Sequence, residues 1–123
     1  MSYLLGIDVG TTRTAAAISR TAAPGTPEMI TLGDRSVDVP SVVLLSEDGT
    51  MLVGEAAERR AVDEPDRVAR EFKRRLGDPT PVSLGGRPFT PQDLSALLVR
   101  HVVDVAARRE GAPPDRVTEP QPA

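Results

Sequence analysis

Residues 3–9 (YLLGIDV) form a nearly continuous apolar run with one acid, Asp8, close to its end. Such a run predicts a strand buried on both faces. Gly10-Thr11-Thr12-Arg13 follows, and the small residues of 14–19 (TAAAIS) suit a second strand folding back on the first, as a hairpin about a tight glycine turn. After a breaker cluster at 21–27 (TAAPGTP), short strands are expected at 28–32 and 42–45, with Pro40 at a strand entrance because it limits ladder bonding. Residues 46–49 (SEDG) make a turn, and 51–53 return from it. At Gly54 the period changes to helical, which predicts a short helix over 55–62. A second helix is expected over 67–76, where Val68, Phe72 and Leu76 fall on one stripe. Gly77 and Pro79 are stop signals for it. Residues 80–89 read as a small hairpin around Gly85-Gly86.

The strongest helical signal comes next. Thr90 is placed as N-cap, Pro91 at the first helical position and Asp93 in the first turn, and the helix should run to about Glu110 with Gly111 closing it. Its Leu94, Leu97, Leu98, His101, Val102 and Val105 share one face. Where a further strand should begin, Val117-Thr118 gives way to Glu-Pro-Gln-Pro-Ala, and the chain is expected to stop short of it. Prolines remove ladder donors, so residues 119–123 are expected to be a disordered tail behind a lobe spanning 1–118.

Composition narrows the chemistry. The chain has 123 residues, no cysteine and a single histidine, which excludes disulfides, thiolate metal sites, thiol nucleophiles and a His-based triad with a spare. His101 is expected to be a packed core residue. The net charge of −3 and only three aromatic residues argue against a nucleic-acid platform, and no apolar run is long enough to span a membrane. A cytoplasmic location is the expectation. The alternating charges of residues 58–75 suit a solvated helix face.

Two sets of residues could carry chemistry. In Gly6-Ile7-Asp8-Val9-Gly10-Thr11-Thr12, the turn can aim backbone N–H groups and two hydroxyls at phosphate oxygens, while Asp8 holds a hydrated Mg²⁺ beside them. On spacing alone, a hairpin with Asp8 as its cap fits as well. The carboxylate in an apolar strand tips the balance, since burying it unpaired is costly. Neither a Walker loop nor a GxGxxG fingerprint is present. The second candidate is Lys73, the one lysine among 15 basic residues. A compact ammonium retained once suits contact with a terminal phosphate or a nucleophilic water, although a solvated surface lysine fits the composition too.

These segments, taken in order, resemble the seventy-kilodalton heat-shock (DnaK-type) chaperones. LGIDVGTT at 5–12 is similar to the family's first phosphate motif, VPSVV at 39–43 with LVGEAA at 52–57 to the stretch where it reads proline-serine-valine and then valine-glycine before a small-residue helix, FKRRLGD at 72–78 to its lysine-bearing segment, and FTPQDLSALLVRHV at 89–102 to its proline-led helix. Sugar kinases of the same superfamily also open with GIDxGTT, so the order of four motifs carries the resemblance. It implies an α/β fold, the first lobe of an actin-like (ribonuclease H-like) ATPase domain: a mixed sheet with an N-terminal β-hairpin, a helical insert and a long packing helix.

The resemblance also implies roles. Asp8 would stand near hydrated Mg²⁺, Gly10, Thr11 and Thr12 would hold the β- and γ-phosphates of ATP or ADP, and Lys73 would position the attacking water as the catalytic residue. Arg13 departs from the tyrosine or asparagine usual after the two threonines. Client polypeptides and co-chaperones are implied only for full-length relatives. The family's second phosphate motif, adenosine motif and catalytic glutamate find no counterpart here. The expectation is a truncated or frame-shifted product that binds nucleotide weakly or not at all and is not catalytically competent alone. The alternatives kept open are the start of a sugar kinase and a non-enzymatic remnant or binding module.

Overall fold

The computed structural model describes residues 3–20, 28–30 and 38–118. The expectations for residues 21–27, for the end of the 28–32 strand and for the 119–123 tail lie outside these.

A mixed sheet carries the N-terminal half. Strand β1 (Tyr3–Val9) pairs antiparallel with β2 (Arg13–Arg20) along its whole length, from Tyr3 opposite Arg20 to Val9 opposite Thr14. The other edge of β2 is shared by two short strands, β3 (Glu28–Met29) and β4 (Asp38–Pro40), the latter set with Arg13 opposite Pro40. A second sheet places β5 (Val42–Leu45) between β6 (Met51–Val53) and β7 (Val68–Arg70). Helix α1 (Glu55–Ala61) packs on β5, and a small hairpin joins β8 (Val82–Leu84) to β9 (Arg87–Phe89).

Helix α2 (Pro91–Glu110) is closed at both ends as expected. Thr90 and Asp93 form a reciprocal capping box, and Gly111 takes the left-handed conformation at the C-terminus. Leu94, Leu98, Val102 and Ala106, spaced four apart, are its fully buried stripe; Leu97 and Val105 are partly buried beside it. Beyond Gly111 the chain returns as β10 (Arg116–Thr118), parallel to β1 with Leu5 opposite Val117. Contrary to the expectation that the chain stops where this strand should begin, Arg116–Thr118 already pairs with β1. Tyr3 fastens it, since its hydroxyl donates to Ala112 O at 2.8 Å and its carbonyl accepts from Asp115 N at 2.9 Å.

Three further expectations are corrected. First, β1 is buried on one face only. Tyr3, Leu5, Ile7 and Val9 point into the core beneath α2, while Leu4 and Asp8 are exposed on the outer face. The strand buried on both faces is β5: Val43 and Leu45 join the main core, and Val42 and Leu44 pack with Ala57 and Ala61 of α1 in a second cluster. Second, residues 67–76 are not a helix. A 3-10 turn at Pro65–Arg67 leads into β7, and a second at Phe72–Arg75 follows Glu71, whose φ of 51° reverses the chain. Of the three stripe residues only Phe72 is buried in the main core; Leu76 is 44% exposed. The open edge of β5 won this segment, because three residues completing a sheet satisfy backbone groups that a short, strongly charged helix would leave to water. Third, Pro40 ends β4 and does not open a strand.

Candidate functional site

The Gly10–Thr12 turn links the core strand β1 to β2. Gly10 N–H donates to Arg13 O at 2.9 Å, which closes the turn. A glycine is required by this close approach: a Cβ here would lie 2.4 Å from the Arg13 carbonyl oxygen, which is backbone and cannot swing away. Ser41, the single residue between β4 and β5, braces the turn from outside. Its Oγ donates to Gly10 O at 2.8 Å and lies 2.9 Å from Thr14 Oγ1, and its N–H donates to Thr12 O at 2.8 Å.

Lys73 reaches the same place from the 3-10 turn that follows β7. Burial of Phe72 against α2 fixes the 3-10 turn, and the next side chain extends back to β1, where Lys73 Nζ donates to Val9 O. The structure thus brings Lys73 to the residue before the turn, 64 positions away in the chain. Thr11 and Thr12 form the crest of the turn and border an open cleft of about 600 Å³ with Arg13, Ser41, Arg70 and Glu71.

Asp8 is placed differently from its expectation. Opposite Ala15 on the outer face, it is exposed, so the argument from a buried carboxylate fails: the alternation of β1 turns the side chain to solvent. An exposed carboxylate keeps its charge at no desolvation cost and can accept hydrogen bonds from the waters of a hydrated cation. A depression of about 440 Å³ lies beside it, floored by Gly6, Ala15 and Ala17. Among the described residues no three His, Cys, Asp or Glu side chains gather in a way that could hold a bare metal ion.

The charges around the cleft are unevenly matched. Arg13 pairs with Asp38 at 2.7 Å, and Arg70 makes two contacts to Glu58 at 2.8 and 2.9 Å, so both guanidinium groups at the rim are neutralised by carboxylates. Lys73 has no carboxylate partner among the described residues. Its ammonium rests on the Val9 carbonyl, and among the described residues no carboxylate competes with an anion for it. Several of these residues escaped the sequence reading. Ser41 stood inside the quoted VPSVV stretch, and its signal was a hydroxyl within an apolar run, the reasoning already applied to Asp8. Arg70, Glu58 and Glu71 were absorbed into a supposed helix face.

His101 is half-buried, less enclosed than expected of a core residue. Its ring lies against the entry of α1, where a Cβ on Gly54 would come 3.9 Å from Nε2. Burial, and then the Arg108 charge, hold its pKa below the ordinary value, partly opposed by Asp104.

A family model described as Hsp70 protein matches residues 4–84. The chaperone protein DnaK of Endomicrobium trichonymphae is 38% identical over 105 residues, which cover 83% of this chain and 17% of that protein. The chaperone protein DnaK of Elusimicrobium minutum (strain Pei191) is 36% identical over 126 residues, covering 100% of this chain and 20% of that protein. The chain spans at most about a fifth of the length of these curated relatives.

Proposed function

Because this chain belongs to the Hsp70 family, we propose that its Gly10–Thr12 turn holds the phosphates of a Mg²⁺-bound adenine nucleotide, on the first lobe of an actin-like ATPase. The observation that carries this reading is the convergence on one turn of two strands and a distant lysine. Ser41 braces the turn from one side, and Lys73 brings an unneutralised ammonium from the other.

The donor set fits the ligand. Thr11 and Thr12 offer hydroxyls and, at the crest of the turn, backbone N–H groups that no backbone carbonyl of the described residues takes. Asp8, exposed near the end of β1, suits a cation held through its water shell, since among the described residues no cluster of three ligating side chains gathers to hold a bare ion. Bound nucleotide supplies the phosphoryl group and its counter-ion. The chain's own residues orient the phosphates through Thr11 and Thr12, balance their charge through Lys73 and hold the hydrated ion through Asp8. Phosphoryl transfer is largely positioning and electrostatic stabilisation from several sides, and this turn supplies one of them. On this reading the isolated chain binds nucleotide weakly and does not hydrolyse it at a useful rate. Client polypeptides and co-chaperones are partners of full-length relatives, acting in the cytoplasm.

Titration calorimetry with Mg·ATP tests the proposal on the 123-residue chain. Measurable heat is expected, weakened several-fold by Asp8→Asn and by Lys73→Met. Absent binding, or binding indifferent to both substitutions, would show that the turn is only a hairpin.

A further inference from the structure

We infer that Ser41 is a positioning residue that sets the direction of the Thr11 N–H, and so holds the phosphate-facing side of the turn in place. This rests on the phosphate reading of the turn for its purpose, though not for its geometry.

Ser41 is 3% exposed and buried between the two sheets, and its Oγ–H is directed to Gly10 O at 2.8 Å. A serine hydroxyl has one proton to give. In the 2.9 Å contact between Ser41 Oγ and Thr14 Oγ1, Ser41 must therefore accept and Thr14, itself fully buried, must donate. The result is a directed chain running from Thr14 through Ser41 to the Gly10 carbonyl.

Peptide planarity carries the effect across the turn. In a trans peptide the carbonyl of residue 10 and the N–H of residue 11 are rigidly antiparallel. Fixing Gly10 O toward Ser41 turns Thr11 N–H the opposite way, away from the sheet junction. The second contact works likewise: Ser41 N–H on Thr12 O, at 2.8 Å, orients the following plane and with it Arg13 N–H. The plane before Gly10 is held by Lys73 on Val9 O. Three of the four peptide planes between residues 9 and 13 are thus pinned by groups from outside the hairpin, two of them by Ser41.

Preorganised donors are what an anion site needs, because a loose turn loses affinity to the cost of ordering it. A merely structural serine would lower stability when removed and leave the Thr11 amide alone, and this separates the two roles.

The test uses the full chain, isotope-labelled, as Ser41→Ala, Ser41→Cys and Thr14→Val. Cysteine keeps the volume of the site while donating only weakly, so it serves if Ser41→Ala fails to fold. In the absence of nucleotide, both Ser41 variants are expected to move the Gly10 carbonyl and Thr11 amide resonances and to speed exchange of the Thr11 amide. Thr14→Val, which leaves the bond from Ser41 to Gly10 intact, should lower the melting temperature with little change at Thr11. In Mg·ATP titrations the Ser41 variants should bind roughly three- to tenfold more weakly than Thr14→Val. Unchanged Gly10 and Thr11 signals in Ser41→Cys, or equal shifts in Thr14→Val, would overturn the inference. If the wild-type chain gives no heat with Mg·ATP, the phosphate reading has failed, and the nucleotide-free spectra still decide whether Ser41 sets the Thr11 peptide.

Discussion

Gly10 shows how little room the turn leaves. Its need for glycine comes from proximity, not from backbone conformation: the Arg13 carbonyl occupies the space a methyl group would fill. Gly10→Ala should cost on the order of 1–3 kcal/mol, the range for overfilling a packed site. Calorimetric melting of the variant is the measurement, and Mg·ATP affinity should fall with it, because the Arg13 end of the turn must move. Glu71 shows the opposite case, a side chain tolerated in the left-handed region at φ 51° where a chain reversal is needed to deliver Phe72 inward and Lys73 back to β1. Of the residues the structure gathers at the turn, Gly10, Thr11, Thr12 and Lys73 had been singled out from their types and from the family resemblance. Ser41 was not, because its significance lies in three contacts to residues about 30 positions earlier, and spacing along the chain does not encode them.

Helix α2 is the element whose sequence and structure agree most closely. Its ends are written locally, in Thr90, Pro91, Asp93 and Gly111, and local signals survive whatever the rest of the chain does. Thr90→Ala should lower stability by about 1 kcal/mol through loss of the cap, read as a fall in midpoint during urea unfolding with the slope unchanged. The strands divide more instructively. YLLGIDV and VVLL look alike as apolar runs, yet only the second is covered on both sides, by α1 and by the main core. Which face of a strand is covered depends on what arrives later in the chain. For the same reason residues 67–76 were misread: Val68, Phe72 and Leu76 have helical spacing, but β5 presents an edge that Val68–Arg70 completes. Periodicity reported the apolar residues correctly and could not weigh a sheet edge formed much earlier in the chain, at residues 42–44.

At the scale of the molecule, α2 touches β1, β5, β6 and the turn that carries Phe72, so one helix braces both sheets. His101 sits at that brace, and its protonation bears on the whole fold. Its pKa in the folded protein lies below the ordinary 6.5, with burial the main cause. As the pH falls through about 6.5, the unfolded chain takes up a proton that the folded chain resists, and stability declines until the folded-state pKa is passed. Chemical denaturation between pH 7.5 and 5, a window set by the ordinary histidine range, should show this decline in the wild type and a flatter profile in His101→Gln. Arg20 and Glu110 pair at the far end of α2 and hold each other charged, so Glu110 resists protonation and its contribution survives to lower pH than the histidine's. Between the sheets the chain crosses in a single residue, from Pro40 to Val42. That brevity makes chain length itself a determinant of the turn. One residue inserted at the crossing would leave both strands their pairing partners, yet the serine could no longer reach the Gly10 carbonyl and the Thr12 carbonyl together. The spacing between proline and valine is therefore as much a part of the turn as the glycine within it.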